Sequence, residues 1–420
     1  MTPGRLALTA VGDSLDRCIK CTVCESACPV AAVTSLFPGP KTVGPQAERF
    51  RQSQGSSPDR SVDYCSGCGV CTRVCPHGVR IAEINARARA RWRGRTGVSL
   101  RDHLLARPVL TGRLGRPVAP VFNWALGQRP LRVAAERLLG VHRAAPLPRV
   151  VGRTFRYRVS RRRPPRSPDR VVYFHGCSVD YFEPWVGQMT VAILEHNGFA
   201  VDIPRQGCCG LPLQSTGLFE PARRSVRRLA RSLSPAGTDG LPIIASSTSC
   251  GLMVKREAEE ILGVEDARLR DVSRRTYDLF EFLAGLHRAG RLRTDFTPVP
   301  LTVAYYAPCQ QRGQGIGEPA MDVLGLVPGL RILELDRSCC GIAGTYGLKR
   351  EKYAIAMAVG RPLFDDIAAA RPDLVACDSE TCRWQIGRAT GLPTVHPLEL
   401  LYRAYGGAEP GSAAAGPGGQ

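Results

Sequence analysis

The chain has 420 residues, 44% of them hydrophobic, and 57 Lys and Arg against 37 Asp and Glu give a net charge of +20. That length predicts two to four domains with ordinary globular cores, and no apolar run reaches the ~18 residues that would cross a bilayer. The apolar stretch in RLALTAVG near the start is too short for a signal-peptide core, so the 17 cysteines are expected to be reduced thiolates in a cytosolic setting rather than disulfides.

Two copies of C-x2-C-x2-C-x3-C-P come first: Cys18, Cys21, Cys24, Cys28 before Pro29, and Cys65, Cys68, Cys71, Cys75 before Pro76. This is the bacterial ferredoxin spacing for cubane iron–sulfur clusters. A tight loop aims three thiolates at three irons of one cube, and the fourth cysteine lies past that loop. In two-cluster ferredoxins the fourth cysteine ligates the other cluster, which groups Cys18, Cys21 and Cys24 with Cys75, and Cys65, Cys68 and Cys71 with Cys28. Two [4Fe–4S] clusters, and therefore electron movement, are expected. Zinc prefers two C-x2-C pairs separated by a longer knuckle, a pattern these motifs fit poorly.

Between Arg101 and Arg170 there are 17 Arg and no Lys against Asp102, Glu136 and Asp169, so this stretch carries +14 of the total charge. It lacks the interleaved aromatics of a nucleic-acid surface, and no nucleic-acid partner is expected. Arginines mixed with Trp124, Leu126, Leu131, Val133, Leu138 and Leu139 suit anionic lipid or an acidic partner subunit. A solvated basic linker is the plain alternative. RRRPPRSPDR at 161–170 reads as a hinge or boundary.

The later cysteines obey a slower period. Cys177 and Cys309, Cys208 and Cys339, Cys209 and Cys340, and Cys250 and Cys382 are separated by 131 or 132 residues, with YFHGC matching YYAPC, CCGL matching CCGI and SSTSC matching DSETC. A duplicated domain of about 130 residues follows. Strands are predicted at 171–174, 200–203 and 242–246, and again at 301–306, 331–335 and 373–377. Helices are predicted at 188–197, 219–233 and 250–262, and at 319–326, 351–370 and 380–388. Such alternation argues for a mostly parallel sheet covered by helices. In both copies the cysteines follow strands, so they should converge at the carboxyl edge of the sheet as a redox or metal site.

No strand-borne G-x-G-x-x-G with a downstream acid is present, so no flavin site is expected. Gly313, Gly315 and Gly317, and Gly341, Gly344 and Gly347, read as tight turns beside cysteines. His175 and His396 read as structural. Cys377 ends an apolar strand and reads as a buried structural thiol, with a substitute ligand as the alternative.

CIKCTVCESACPV, FPGPKTVGP, YFHGC, CCGLPL, CCGIAGTYG and ETCRWQI together resemble the family of iron–sulfur C subunits of anaerobic glycerol-3-phosphate dehydrogenase. That family is akin to heterodisulfide reductase and glycolate oxidase iron–sulfur subunits. The resemblance implies an α+β multidomain chain. Its parts are a small α-helical dicluster ferredoxin-like domain (1–100), a basic Arg-rich linker or helical segment (101–170), two duplicated α/β cysteine-rich (CCG) domains (171–295 and 296–405) and a disordered tail (406–420).

It also implies a relay subunit, not a complete enzyme, without catalytic residues of its own. Electrons would come from a flavoprotein dehydrogenase, foremost one for glycerol-3-phosphate, and pass to the membrane quinone pool from a peripheral position on the inner face of the cell membrane. In relatives of the heterodisulfide type each such domain can carry its own iron–sulfur cluster, so Cys177, Cys208, Cys209 and Cys250, and Cys309, Cys339, Cys340 and Cys382, are the expected cofactor-binding cysteines, for a further cluster, a different metal or a dithiol redox pair. The family's closing C-x2-C is altered here, with Ser247 and Ser379 at its first position, and Gln310 stands where the family has histidine. Redox catalysis at the CCG domains, as in heterodisulfide reductase or a glycolate or lactate oxidase subunit, is the competing reading.

Overall fold

The computed structural model describes residues 11, 14–54, 60–235, 237–238 and 240–408. Most of RLALTAVG and residues 409–420 of the expected tail lie outside them.

Two parallel four-stranded sheets organise the chain after residue 170. The first contains β1 (Arg170–Phe174), β2 (Ala200–Asp202), β3 (Ile243–Ala245) and β4 (Thr276–Asp278) in the order β2-β1-β3-β4. The second contains β5 (Thr302–Tyr305), β6 (Arg331–Glu334), β7 (Leu374–Ala376) and β8 (Thr394–Val395) in the order β6-β5-β7-β8. Register is equivalent in the two: Val172 pairs with Ile243, and Val303 with Leu374. Each order reverses between its first and third strands, which opens a crevice at the carboxyl ends there.

The six strands read from the sequence are present. The fourth strand of each sheet is absent from that reading, because three residues (TYD) and two (TV) are too few to show alternation. The helix expected over 250–262 is instead Thr248–Leu252, a π-helical turn Met253–Glu257 and Ala258–Glu260.

Alternation along β1 explains the layers. Val171 and Tyr173 pack with Ile193 and Phe280 on one face, while Val172 and Phe174 pack with Val226 and Leu229 on the other. The helix Phe219–Leu233 supplies Ala222, Val226, Leu229 and Leu233 at helical spacing and turns Arg224, Arg227, Arg228 and Arg231 outward. The first of these cores runs on into the second sheet through Val303, Tyr305, Val323 and Leu398. The two cysteine-rich domains therefore share buried surface, with each fully buried Leu or Val contributing about 1.5–3 kcal/mol.

The arginine-rich stretch is helical: Leu100–Leu105, Pro108–Gly115, Ala119–Gly127, Arg129–Leu139 and Phe155–Val159. Proline in the first turn of the middle three fits the helix start, where its missing N–H is no loss. The stretch straps both sheets. Ala106 enters the core of the first, and Val141 bridges antiparallel to Lys349 beside the second. Its outer side leaves Leu114, Val121, Trp124 and Leu138 60–83% exposed. Among the described residues no helix is long and apolar enough to cross a membrane.

Candidate functional site

Both ferredoxin motifs build the same loop. Lys20 and Thr22 lie at φ 63° and 66°, and Gly67 and Gly69 both at 73°. Each copy thus passes through two left-handed residues around its second cysteine before a short helix, Val23–Ser26 or Val70–Arg73, carries the third. Glycine adopts that backbone freely, whereas a side-chain residue such as Thr22 costs about 1–2 kcal/mol there.

The motifs interleave. Cys24 lies in the field of Cys18 and Cys75, Cys28 in that of Cys65, and Cys71 in those of Cys65, Cys68 and Cys28. Cys21 is exposed on its loop. Cys28, Cys65, Cys68 and Cys71 line one cavity with Pro29, Val30, Phe37, Gly67 and Gly69. Backbone N–H groups point at sulfur: Ala31 N to Cys28 Sγ at 3.5 Å and Val79 N to Cys75 Sγ at 3.4 Å. Burial pushes the Cys68 thiol up to about 12, and Cys71 is raised as well. Thiolates gathered here need cationic metal to offset their desolvation and mutual repulsion. Four sulfurs around an otherwise apolar cavity fit a cubane in donor type and number.

In each cysteine-rich domain the cysteines do meet at the carboxyl edge. Cys177 lies in the helix after β1, Cys208 and Cys209 in the loop after β2, and Cys250 in the helix after β3. Cys309, Cys339, Cys340 and Cys382 repeat this after β5, β6 and β7. The thiols touch in rows. Cys177 donates to Cys208 at 3.8 Å, Cys209 contacts both Cys208 and Cys250, and in the second row Cys340 donates to Cys382 at 3.0 Å.

Thiol donation from both neighbours holds Cys208 and Cys339 well below the ordinary thiol value, and the N–H groups of Gly210 and Gly341 add to it. Cys377, buried at the end of β7, contacts Cys382; Ala245 stands at its position in the first copy. Among the described residues no three His, Cys, Asp or Glu side chains form a ready site for a single metal ion. These sulfur-rich rows suit a polynuclear centre in donor chemistry.

Gly315 and Gly317, both at φ 71°, and Gly344, at φ 62°, are turn positions as expected, whereas Gly313 lies inside the helix Cys309–Gln314 and Gly347 inside the short helical turn Tyr346–Leu348. Gly341 has a sharper reason, since a Cβ there would stand 1.8 Å from the Ala356 carbonyl oxygen. That contact seats the helix Arg350–Ala370 on the vicinal pair Cys339 and Cys340. His396 caps the last helix, its Nδ1 accepting from Leu398 N at 3.1 Å while Nε2 donates to Ser246 O at 3.0 Å across the two domains. Burial pulls His175 down to about 4, and its Nδ1 donates to Gly176 O at 2.7 Å.

The second ferredoxin centre abuts the second cysteine-rich centre. Cys28, Cys65, Cys339 and Tyr346 share one buried cluster, and Cys68 lies in the fields of Cys339 and Cys309. Across the interface between the cysteine-rich domains, Ser247 Oγ donates to Glu380 Oε2 at 3.4 Å, and the Glu380 charge reaches Cys177.

A charged network bolts these parts together. Lys352 Nζ donates to the Asp63 carbonyl and carboxylate, each at 2.6 Å. Arg93 reaches Asp63 at 2.8 Å and Asp102 at 3.3 Å, and Lys349 reaches Asp102 at 3.1 Å. Burial alone would raise both carboxyls, but Lys352, Arg89 and Arg93 around Asp63, and Lys349 and Arg101 around Asp102, hold them below the usual carboxylate range. Burial pulls Lys352 down to about 7 against the opposing pull of Asp63. Sequence reading missed this network because its members come from separate segments with no shared spacing.

The 4Fe-4S dicluster domain family matches residues 14–79, and the cysteine-rich domain family matches twice, at 171–255 and 303–387. The chain is thus an iron–sulfur protein of the dicluster and double cysteine-rich class, carrying [4Fe–4S] clusters and serving electron transfer. Within that class, the C subunit of anaerobic glycerol-3-phosphate dehydrogenase from Escherichia coli K12 is 38% identical over 396 residues, 93% of this chain and 98% of that protein. The chain belongs to the family of that C subunit. The B subunit of fumarate reductase (CoM/CoB) from Methanothermobacter marburgensis is 28% identical, over 92% of this chain and 72% of its own length. The D subunit of dihydromethanophenazine:CoB–CoM heterodisulfide reductase from Methanosarcina barkeri is 24% identical, over 88% and 87%.

Proposed function

We propose that the chain is the relay subunit of a glycerol-3-phosphate dehydrogenase complex, taking electrons from a flavoprotein partner and delivering them toward a membrane quinone. Iron–sulfur clusters supply one-electron carriers when bound. Cys18, Cys21, Cys24 and Cys75 would hold one cubane, and Cys28, Cys65, Cys68 and Cys71 the other. The eight cysteines after strands β1, β2, β3, β5, β6 and β7 would hold the downstream centres.

The observation that carries this reading is the packing of Cys28 and Cys65 on Cys339. Exposed Cys21 gives the first set an open face for a donor. The path then runs inward to the second set, across to Cys309 and Cys339, and on toward the first cysteine-rich domain. Membrane contact is assigned to the outer side of 108–139, where Leu114, Val121, Trp124 and Leu138 are exposed among arginines.

The test is anaerobic reduction of the reconstituted chain by glycerol-3-phosphate with its flavoprotein, followed by transfer to a quinone. Electron transfer at both steps supports the reading. A chain that accepts no electrons from that flavoprotein, or that turns over a heterodisulfide but no quinone, contradicts it.

A further inference from the structure

The second ferredoxin centre lies against a buried excess of positive charge. Arg89, on the helix Ile81–Thr96, is 7% exposed. Its guanidinium donates to the carbonyl of Cys65, to Val62 O at 3.3 Å and to Ser215 O at 2.9 Å. Among the described residues no carboxylate lies within ion-pair distance of it, and its Nε has no partner. Asp63, whose field it shares, is already bonded by Lys352 and Arg93. Arg89, Arg93, Arg101 and Lys349 face Asp63, Asp102 and Glu351, four cations against three carboxylates, and Lys352 adds a fifth positive charge below about pH 7.

A guanidinium removed from water without a counter-charge costs several kcal/mol. Dipoles of three carbonyls offset part of that. A compensating anion should therefore lie nearby, and the cavity whose wall includes Cys65 is where four thiolates would carry one.

The geometry points to Arg89, supported by Lys352, as the built-in counter-charge of the group held by Cys28, Cys65, Cys68 and Cys71. This rests on reading those four residues as cubane ligands. One-electron reduction makes the centre more negative, so a fixed cation favours the reduced state and raises the potential. No proton or atom transfer is involved. Among the described residues the first centre has no buried, unpaired cation beside it: Arg17 and Lys20 are exposed, Cys21 is exposed, and the nearby Glu25 is paired with Lys41 at 3.0 Å. Arg89 also bonds Ser215 of the first cysteine-rich domain, so one side chain couples the potential of the centre to the seating of the domains. It is a positioning residue rather than a catalytic one.

The test is a redox titration of the full, iron-loaded chain followed by electron paramagnetic resonance, with Cys21→Ser marking the signal of the first centre. Arg89→Gln should lower the second midpoint by about 59 mV or more, a tenfold change for a one-electron couple, and leave the first in place. Arg89→Lys, which keeps the charge, should hold the second midpoint. Where Arg89→Gln fails to load iron, Lys352→Met, titrated below about pH 7 where Lys352 is charged, should lower the second midpoint, and adding Asp63→Asn to it should restore the value. A second midpoint that stays fixed, or two midpoints that move together, overturns the inference while leaving the ligand reading standing. A wild-type chain with fewer than about eight irons overturns both.

Discussion

Lys352 and Asp63 are joined by two contacts of 2.6 Å, one to the carboxylate and one to the backbone carbonyl. Nearly three hundred residues apart in sequence, they pin the long helix of the second cysteine-rich domain to the segment leading into Cys65. The bond fixes the second ferredoxin motif against the cysteines of the second cysteine-rich domain, and its chemistry makes it sensitive to acid.

Asp63 and Asp102 both have carboxyls held below their ordinary value in the folded chain. Their contribution to stability is therefore complete above the unfolded carboxylate pKa of about 3.9 and is lost as pH falls toward the folded values. Thermal unfolding of the wild-type chain should fall steeply below about pH 4, whereas Asp63→Asn with Asp102→Asn should show a weaker dependence there. Equal slopes would mean that these two residues do not set the acid limit.

Thr22 occupies a left-handed position that its counterpart Gly69 fills without strain. Thr22→Gly should relieve about 1 kcal/mol and slow chelator-driven bleaching of the first centre. Gly69→Thr should speed loss of the second by a comparable factor. Bleaching rates followed by visible absorbance decide it; unchanged rates in both variants would mean that the loop relaxes.

Gly341→Ala puts a methyl group into the Ala356 carbonyl. The helix Arg350–Ala370 must move off the Cys339 and Cys340 pair, at about 3 kcal/mol or more. Denaturant unfolding should show that loss. Gly344→Ala, where a Cβ meets nothing within 4 Å although φ is 62°, should cost about 1–2 kcal/mol.

Trp124→Glu with Leu138→Glu should abolish flotation with anionic vesicles if the outer side of 108–139 meets lipid, since each lost apolar contact removes about 1.5–3 kcal/mol. Both side chains are exposed, so the fold should persist by circular dichroism. Undiminished flotation would assign the membrane contact elsewhere.

What the sequence makes legible is local or repeated. Cysteine spacing names the cubane motifs because one short loop must aim three sulfurs, and the period of 131–132 residues reveals the duplicated sheets. Strands β4 and β8 stay hidden because they take their conformation from a neighbouring strand rather than from their own pattern. Arg89, Lys352 and Asp63 are invisible for a different reason. An arginine in ARARARWR looks like any solvated basic residue until the fold buries it beside Cys65. Cys377 is similar: its apolar strand predicts burial, which holds at 0% exposure, but only the tertiary structure places it against Cys382.

In the proposed relay, electrons pass from the ferredoxin segment into the second cysteine-rich centre through the contact of Cys28 and Cys65 with Cys339. Rapid-mixing reduction of Cys339→Ser by the flavoprotein, with ferredoxin-type signals and quinone followed together, tests it most directly. Cubane reduction should proceed at the wild-type rate while quinone reduction falls at least a hundredfold, about 2.7 kcal/mol in barrier. Quinone reduction at the wild-type rate, with the cubanes intact, would contradict it.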